Sequence, residues 1–346
     1  VVATDPPATL LDALARRGAD VRVLPDGEVS AEDLRSALDG AEPAGVLTMP
    51  SSPADANDPA VAAGIVALAR AVDELGLRAP LWCVTRGAVR VGPDDGPPDP
   101  AQAQAWGLGR VVALELPRTW GGLVDVPPGE DLAEPVTELL CGLLAAPGGE
   151  DQIAVRRDGA HGRRLTRAPQ TGTTAAPWTP RGTVLITGGT GALGAHVARW
   201  LVDRGAEHLV LTSRSGPRAP GASDLRAELT ASGARVDILA CDLGDRDQVA
   251  EVVAGLRAQG DPVRAVVHAA GVNLAGAITD LDRTALDRAL SGKVAGALHL
   301  DELLDDDLDA FVLFSSIAGI WGSARQGAYA AANAALDALA RRRRGG

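Results

Sequence analysis

The chain has 346 residues, 46% of them hydrophobic, and its 45 acidic and 33 basic side chains give a formal net charge of −12. This length allows one large domain or two ordinary ones, and the composition is that of a folded globular protein. The acidic balance argues against nucleic acid or an anionic membrane as a partner, because both attract clustered positive charge.

The first half alternates short apolar runs with helical periodicity, which predicts parallel strands joined by helices. After an opening strand at Val1–Ala3, the predicted strands are Val21–Leu24, Gly45–Met49, Leu81–Thr85, Leu123–Val126 and Gln152–Arg156. The predicted helices are Ala8–Arg17, Ala31–Leu38, Ala60–Glu74 and Gln102–Glu115. No glycine-rich turn follows the opening strand, and Pro6 and Pro7 remove the backbone donors that a phosphate would need. We therefore expect this half to be structural and to bind no cofactor.

A stretch rich in Thr, Pro and Gly, Pro169–Gly182, has the composition of a linker and divides the chain into predicted domains 1–178 and 179–346. The strands predicted beyond it are Thr183–Thr187, His208–Thr212, Val236–Ala240, Ala265–His268 and Ala310–Phe314. Right-handed crossovers between such strands give a doubly wound parallel sheet, with ligands bound outside the carboxyl ends of the strands. The predicted fold class is α/β, with two doubly wound parallel sheets.

The strand Thr183–Thr187 is followed by Gly189-x-Gly191-x-x-Gly194 and then by a helix predicted to run through Asp203. This is the dinucleotide-binding pattern in its required strand–turn–helix setting, where glycines allow a tight turn and close approach of a pyrophosphate. The free N–H groups at the start of the helix favour that phosphate. The alternative is a turn that is merely rich in glycine, since the chain has 41 glycines. The residues predicted to contact the cofactor here are Thr187, Gly188, Gly189, Thr190, Gly191, Ala192, Leu193 and Gly194.

The next strand ends at Ser213 and Arg214, where an NAD site usually carries an acidic residue. A hydroxyl and a guanidinium suit a 2′-phosphate instead, which predicts NADPH as the cofactor. The alternative for Arg214 is an ordinary surface cation. Two further strand ends are predicted to border the cofactor, the first through a carboxylate near the adenine and the second through small residues near the nicotinamide. The end near the adenine comprises Cys241, Asp242 and Leu243. The end near the nicotinamide comprises Ala269, Ala270 and Gly271.

The catalytic candidates follow the fifth strand. Tyr329 lies thirteen residues after Ser316, and Asn333 lies four residues later on the same face of a helix. Tyr329 is the only tyrosine of the chain and Lys293 its only lysine. A ketone accepts hydride when its oxygen is protonated or polarised, so Tyr329 is predicted as the general acid and Ser316 as a second donor. A free phenol, with a pKa near ~10, needs a nearby cation to become a better acid, and Lys293 is the candidate.

Asn333 is predicted to hold a water or a backbone group that returns the proton. Each of the four residues also has an ordinary alternative. Ser316 could cap a helix, Tyr329 could be a packed aromatic, Lys293 a surface cation and Asn333 a turn residue. Their joint placement favours catalysis.

At these residues the second half resembles the ketoreductase domain of modular type I polyketide synthases, within the short-chain dehydrogenase superfamily. Most members of that superfamily place the lysine four residues after the tyrosine. The polyketide ketoreductases have asparagine there and the lysine upstream, as Asn333 and Lys293 are arranged here. The first half, at Ala105–Arg110 and Trp120–Asp125, is similar to the family's structural subdomain. The resemblance implies that this subdomain is a truncated Rossmann fold without a cofactor.

The resemblance also implies the reaction, which is hydride transfer from NADPH to a β-ketoacyl chain held on the phosphopantetheine of an acyl carrier protein. The family's B-type enzymes carry Leu-Asp-Asp where this chain has Asn273–Ala275. A-type enzymes have a tryptophan eight residues before the tyrosine, as Trp321 is, and the histidine of epimerising members is replaced here by Gln326. An A-type enzyme that forms an L-hydroxy product without epimerisation is implied. A core role is the alternative for Trp321.

Members of the family continue past the helix of the tyrosine, so we expect part of the acyl pocket to lie beyond this sequence. The resemblance implies neighbouring synthase domains in the same polypeptide, as in antibiotic biosynthesis. Two other hypotheses stay open. The chain could be a free-standing short-chain dehydrogenase, which its N-terminal half argues against. It could also be a non-catalytic module that binds NADPH, which the presence of Ser316, Tyr329 and Lys293 argues against.

Cys83, Cys141 and Cys241 are widely spaced and belong to no Cys/His cluster, which predicts buried thiols, no metal site and a reducing compartment. With no apolar run long enough to span a bilayer and no signal peptide, we expect a cytoplasmic protein. Arg341–Arg344 is the one basic run. It is typical of a solvated helix end, where cations complement the helix dipole, and a dock for an acidic partner is the alternative.

Overall fold

The structure is a computed structural model, and it describes residues 1–53, 58–129, 131–146, 148–167, 178–304 and 307–344. The chain forms two compact units. The first comprises Val1–Leu165, Asn273–Asp287 and Ser315–Gly346, and the second Thr166–Val272 and Arg288–Phe314. Most of the linker predicted at Pro169–Gly182, namely residues 169–177, lies outside the described residues. The division of the sequence at residue 178 stays a prediction.

The described residues form strands and helices that we number in chain order. The strands are β1 (Val2–Thr4), β2 (Arg22–Leu24), β3 (Val46–Thr48), β4 (Leu81–Arg86), β5 (Trp120–Val126), β6 (Gln152–Arg156), β7 (Gly159–Gly162), β8 (Thr183–Thr187), β9 (His208–Ser213), β10 (Arg235–Ala240), β11 (Val263–His268) and β12 (Ala310–Leu313). The α-helices are α1 (Ala8–Arg16), α2 (Ala31–Leu38), α3 (Ala60–Glu74), α4 (Pro100–Glu115), α5 (Glu134–Ala145), α6 (Ala192–Val202), α7 (Ala222–Ala231), α8 (Arg246–Ala258), α9 (Arg283–Leu290), α10 (Gly296–Leu303), α11 (Ala318–Trp321) and α12 (Gly327–Arg344).

The first unit is built on a seven-stranded sheet in the order β2-β1-β3-β4-β5-β6-β7. Its strands pair in parallel except for β7, which forms an antiparallel hairpin with β6. Strand β7 was not predicted, because Gly159–Gly162 contains no β-branched residue, and helix α5 was not predicted either. The other predicted strands and helices of this half are present, with ends displaced by up to three residues.

The second unit contains a five-stranded parallel sheet in the order β10-β9-β8-β11-β12. This is the 3-2-1-4-5 arrangement of a dinucleotide-binding half, in which the strand order reverses between β8 and β11. Side chains of β8 alternate between the two faces: Val184 and Ile186 pack into one core, and Leu185 packs into the other. Burial on both faces is the reason these strands read as continuous apolar runs. The predicted α/β fold with doubly wound sheets is confirmed.

Helix α12 packs directly against α4 in the first unit, and small residues allow the close approach. A Cβ at Gly107 of α4 would lie 2.8 Å from the Cα of Ala331 and closer still to the carbonyl of Ala330. Gly327 is the first residue of α12, and a Cβ there would lie 3.0 Å from the side chain of Leu108 on α4. The arginines of the run Arg341–Arg344 form the last turn of α12. The helix that carries Tyr329 therefore rests on a helix from the N-terminal half of the sequence.

No helix within the described ranges is long and apolar enough to cross a membrane. The three cysteines are buried and form no disulfide.

Candidate active site

The glycine turn after β8 cannot accommodate larger residues. A Cβ at Gly189 would lie 2.7 Å from the Cβ of Leu211 on β9, and one at Gly194 would lie 2.6 Å from the Cα of Gly189. Gly188 has a φ of +64°, which favours glycine, and its Cβ would meet the backbone of Ala269 at 3.0 Å. The turn is thus pressed between β9, β11 and the first turn of α6, at the point where the strand order reverses.

Helix α6 begins at Ala192, and no side chain in the described part of the chain caps it. Its first N–H groups therefore lack intrahelical partners and present positive charge density, which is how a helix N-terminus receives a phosphate. This uncapped start, and a glycine cradle that any Cβ would fill, fit a dinucleotide. Thr190 and Leu193 complete the turn, and both side chains are accessible to solvent.

The ends of β9 and β10 hold the other residues predicted to meet the cofactor. Ser213 is half-buried, and its Oγ accepts a hydrogen bond from the backbone N–H of Gly216 at 3.1 Å, while Arg214 is exposed. Asp242 is exposed and accepts from the N–H of Gly244 at 3.1 Å. Its neighbours Cys241 and Leu243 turn their side chains into the core, so they can offer only backbone atoms to a ligand.

A buried polar chain links the glycine turn to the predicted lysine. The Nδ1 of His268 lies 2.8 Å from Thr187 Oγ1, and its Nε2 lies 2.8 Å from the backbone oxygen of Lys293. A carbonyl only accepts, so Nε2 carries the proton and Nδ1 accepts from the threonine hydroxyl. Burial is the main cause that lowers the pKa of His268 to about 4; the hydrogen bond to the Lys293 carbonyl opposes this shift, and the charge of Lys293 adds to it. The imidazole is therefore neutral at physiological pH and serves as a fixed bridge between β8, β11 and Lys293.

Lys293 occupies a π-helical turn, Ser291–Ala295, between α9 and α10. Such turns are rare and often mark functional sites. The side chain is only 5% exposed, and its Nζ donates a 2.8 Å hydrogen bond to the backbone oxygen of Phe314, two residues before Ser316. Its stem runs across Gly271, where a Cβ would lie 3.1 Å from Lys293 Cδ. Gly271 was predicted to leave room for the nicotinamide; it also leaves room for the lysine.

Ser316 lies two residues before α11 in the first unit. Its Oγ accepts from the backbone N–H of Ala318, the first residue of α11, at 3.2 Å, but the N-cap of that helix is Ile317, so Ser316 is not the cap itself. That bond uses the hydroxyl as an acceptor and leaves its proton available to donate elsewhere. The contact with Ala318 and donation to a substrate oxygen are therefore compatible.

Tyr329 is half-buried on α12, and Asn333 on the next turn of the helix is fully buried. The amide nitrogen of Asn333 donates to the backbone oxygen of Tyr329 at 2.7 Å. Its Oδ1 is buried and accepts no hydrogen bond from the residues that the structure describes. The hydroxyl of Ser315 donates to the backbone oxygen of Asn333 at 3.3 Å, which ties the segment after β12 to α12.

The predicted catalytic residues are divided between the two units. The first unit holds Ser316, Tyr329 and Asn333, whereas Lys293 lies in the second unit together with the glycine turn. The proximity of the Lys293 ammonium to the Tyr329 hydroxyl stays a prediction. Trp321, the last residue of α11, is 57% exposed, which argues against the core role considered for it.

Two features of the site had weak or no signal in the sequence. His268 stands at the end of a buried strand, where a polar residue in an apolar run is a usable sign of a functional or bridging role. Glu115, which holds the loops before Tyr329, makes its contacts to backbone N–H groups. No sequence pattern marks such partners, so this residue was missed.

A cavity of about 620 Å³ lies within the first unit. Trp106 and Arg110 of α4 and Asp337 and Arg341 of α12 are among its lining residues. None of its lining residues is one of the predicted site residues, so it contributes nothing to the proposed chemistry.

Comparison with known proteins agrees with this geometry. The family described as the KR domain matches residues 182–346, and the Rossmann fold domain of the polyketide synthase extender module SpnB matches residues 3–165. The pikromycin polyketide synthase component PikAIII of Streptomyces venezuelae is 50% identical over 353 residues, covering 99% of this chain and 22% of that protein. The chain therefore spans less than a quarter of that relative.

Two solved structures are similar over nearly the whole chain. One, described as A-type ketoreductases from a modular polyketide synthase, is 44% identical with a TM-score of 0.88, covering 99% of this chain and 76% of that one. The other, a C2-type ketoreductase from a modular polyketide synthase, is 40% identical with a TM-score of 0.87, covering 98% and 75%. Overall similarity alone therefore does not distinguish the subclasses.

A doubly wound sheet with a glycine turn at its switch point is a dinucleotide-binding fold, and the match to the KR domain assigns this one to the class of nicotinamide-dependent reductases. Within that class, the chain belongs to the ketoreductase domains of modular polyketide synthases, and it is an oxidoreductase.

Proposed function

We propose that the chain uses NADPH to reduce the β-ketone of an acyl chain carried on the phosphopantetheine of an acyl carrier protein. The observation that carries this proposal is the position of Lys293. The chain's only lysine is buried in a π-helical turn. Its ammonium donates a hydrogen bond to the backbone oxygen of Phe314, two residues before Ser316. Arginine could not take over this role, because its head group is larger and planar and its pKa is higher.

NADPH supplies the hydride when it is bound. The glycine turn Thr187–Gly194 and the start of α6 would hold its pyrophosphate. Ser213 and Arg214 would hold the 2′-phosphate, for which an exposed guanidinium at the end of β9 is suited. Asp242 would meet the adenine, and Ala269 and Ala270 would border the nicotinamide.

Tyr329 donates its proton to the ketone oxygen as negative charge develops there, and Ser316 donates a second hydrogen bond to the same oxygen. The ammonium of Lys293 stabilises the phenolate that remains on Tyr329. Because Lys293 also donates to the Phe314 carbonyl, its side chain is held in one orientation before the reaction starts.

Asn333 orients the group that returns the proton to Tyr329. Its amide nitrogen is committed to the backbone oxygen of Tyr329, which leaves the buried Oδ1 as the acceptor for that group. A buried acceptor that receives no hydrogen bond from the described residues suits an ordered water, which can pass a proton to Tyr329.

The partner and the stereochemistry follow from the resemblance to the family. The relative PikAIII is a synthase component much longer than this chain, which supports neighbouring synthase domains in one polypeptide. Trp321 and Gln326, and the absence of Leu-Asp-Asp at Asn273–Ala275, support an A-type enzyme that forms the L-hydroxy product without epimerisation. The exposed position of Trp321 leaves it accessible to a substrate.

The test follows NADPH oxidation by the full-length protein with a β-ketoacyl thioester on a carrier protein, for wild type and Tyr329→Phe. We expect turnover to fall by a factor of ~10² to ~10⁴ in the variant, the usual contribution of a general acid. NADPH binding, measured by fluorescence titration, serves as the control and should not change.

The outcomes separate the hypotheses. Unchanged turnover in Tyr329→Phe contradicts the assignment of the acid. No turnover in either protein, with NADPH bound, favours a non-catalytic module, and equal rates with a small diffusing ketone favour a free-standing dehydrogenase. A preference for NADH contradicts the role given to Arg214.

A further inference from the structure

Glu115, the last residue of α4, holds two distant segments of the chain with one carboxylate. Its Oε2 accepts from the backbone N–H of Ile278 at 2.8 Å, and its Oε1 accepts from the backbone N–H of Arg325 at 2.6 Å. Hydrogen bonds from backbone N–H groups to a carboxylate are among the stronger ones in proteins. The side chain is half-buried, which limits competition from water.

The two segments are also joined directly to each other. The N–H of Gly276 donates to the backbone oxygen of Arg325 at 2.9 Å, and Gly276 pairs with Gln326 in an isolated parallel bridge. Together with the carboxylate, these contacts form a closed ring of hydrogen bonds, which we call the Glu115 clamp. It fixes the segment around 276–278 against the segment 325–326.

The clamp maintains a costly backbone conformation. Arg325 has a φ of +64°, a left-handed conformation that costs a residue with a Cβ on the order of 1 kcal/mol. Such a conformation persists only where its surroundings impose it. The bond from Arg325 N–H to Glu115 and the bond from Gly276 to Arg325 hold this conformation, together with a local turn in which Gln326 N–H donates to the backbone oxygen of Ser323 at 3.0 Å.

The clamp reaches the start of α12 through packing. Ile278 is fully buried, and a Cβ at Gly327 would lie 2.5 Å from Ile278 Cδ1, so the isoleucine sits against the first residue of α12. Tyr329 follows two residues later. The first segment of the clamp directly follows Asn273–Ala275, and the second contains Gln326. The resemblance places control of the product's configuration at these residues.

We infer that Glu115 is a positioning residue that holds the two segments bordering the acyl chain in the arrangement that selects one face of the ketone. This inference rests on the proposed function. The carboxylate comes from the half of the sequence that carries none of the predicted catalytic residues, and it contacts no reacting atom. Its role is to fix the shape of the substrate site.

The test compares wild type with Glu115→Ala and Glu115→Gln, using the full-length protein, a racemic α-substituted β-ketoacyl thioester and analysis of product diastereomers. We expect KM for the thioester to rise and diastereomer selectivity to fall, each by about tenfold, the factor that one charge-assisted hydrogen bond sustains. The dissociation constant for NADPH should not change. Glu74→Ala, which removes the exposed last residue of α3, is the matched control and should behave as wild type.

Two further measurements make the result specific. Amide hydrogen exchange should quicken around 276–278 and 325–326 in Glu115→Ala and stay unchanged in the glycine turn, which tests the clamp without any turnover. Adding Arg325→Gly to Glu115→Ala should restore part of the selectivity, because glycine adopts the left-handed conformation without the clamp.

Wild-type turnover with unaltered KM and selectivity in both Glu115 variants would overturn the inference. Unchanged exchange in the two segments would overturn it too, even if the alanine variant reacts slowly. Absence of turnover in wild type would count against the proposed function instead, and hydrogen exchange would still decide whether the clamp exists.

Discussion

Gly194 lies where the glycine turn meets α6, and a single hydrogen is all that fits there. Its replacement by alanine would push the first turn of α6 away from the backbone of Gly188 and Gly189. We expect Gly194→Ala to weaken NADPH binding by about tenfold or more, since strain of 1 to 3 kcal/mol is typical of overpacking at a fixed site. Fluorescence titration with NADPH measures it.

Gly255→Ala is the control for that substitution, because Gly255 lies inside helix α8 with open space around its missing Cβ. It should leave NADPH affinity unchanged. Equal affinity in the two variants would show that the turn adapts to a methyl group and that the backbone contact at Gly194 does not determine NADPH binding.

Individual residues of the site differed in how well the sequence predicted them. The glycines of the turn were identifiable because their spacing reflects steric requirements, and the structure supplies those contacts at Gly189 and Gly194. Lys293 and Tyr329 stand out in the sequence because each is the only residue of its type, and their catalytic roles stay predictions. Glu115 was not, because backbone N–H groups occur at every position, so a side chain that binds them leaves no pattern.

At the scale of elements, the contact between α4 and α12 depends on the absence of a side chain at Gly107. A methyl group there would overlap the backbone of Ala330 and Ala331. We expect Gly107→Ala to destabilise the protein by about 1 to 3 kcal/mol, as overpacking of a close contact does. Denaturant unfolding monitored by circular dichroism gives the value.

The same substitution at Gly142 should stabilise the protein, whereas Gly107→Ala should destabilise it. Gly142 is exposed on α5, and no atom of the described residues lies within 4 Å of a Cβ built there. Alanine in an exposed helix is more stable than glycine by about 0.5 to 1 kcal/mol. If Gly107→Ala were neutral or stabilising like Gly142→Ala, the two helices could not be in close contact.

Most strands and helices were predictable from apolar periodicity, because burial on both faces of a parallel sheet imposes it. The hairpin strand β7 was not, since Gly159–Gly162 is short and has no apolar pattern. The grouping into compact units was also beyond the sequence. Segments 273–287 and 315–346 belong with the N-terminal half because of tertiary contacts such as those of Gly107 and Glu115.

For the whole molecule, His268 gives stability a dependence on pH with a definite sign. Its folded pKa of about 4 lies below the ordinary value of 6.5, so between these values only the unfolded state takes up the proton. The contribution is complete above pH 6.5 and is lost as pH falls through this window, to a total of about 3 kcal/mol. Folding stability therefore decreases on acidification.

The measurement is the free energy of unfolding at several pH values for wild type and His268→Gln. Glutamine keeps a donor for the Lys293 carbonyl but does not titrate, so the gap between the two curves should change by about 3 kcal/mol from pH 7 to pH 4. Other titrating groups cancel in this difference. Parallel curves would mean that His268 takes up its proton in the folded state as readily as in the unfolded state.

The close packing of α12 against Gly107 of α4 has a consequence for recombination between related synthases. A crossover placed in the linker would join a foreign α4 to the native tyrosine helix, and any side chain at the position of Gly107 would collide with Ala330. Donor and recipient must therefore match at that crossing, whatever the likeness of their glycine turns. Exchanges that take α4 and α12 from the same parent preserve the packing of the helix that carries Tyr329.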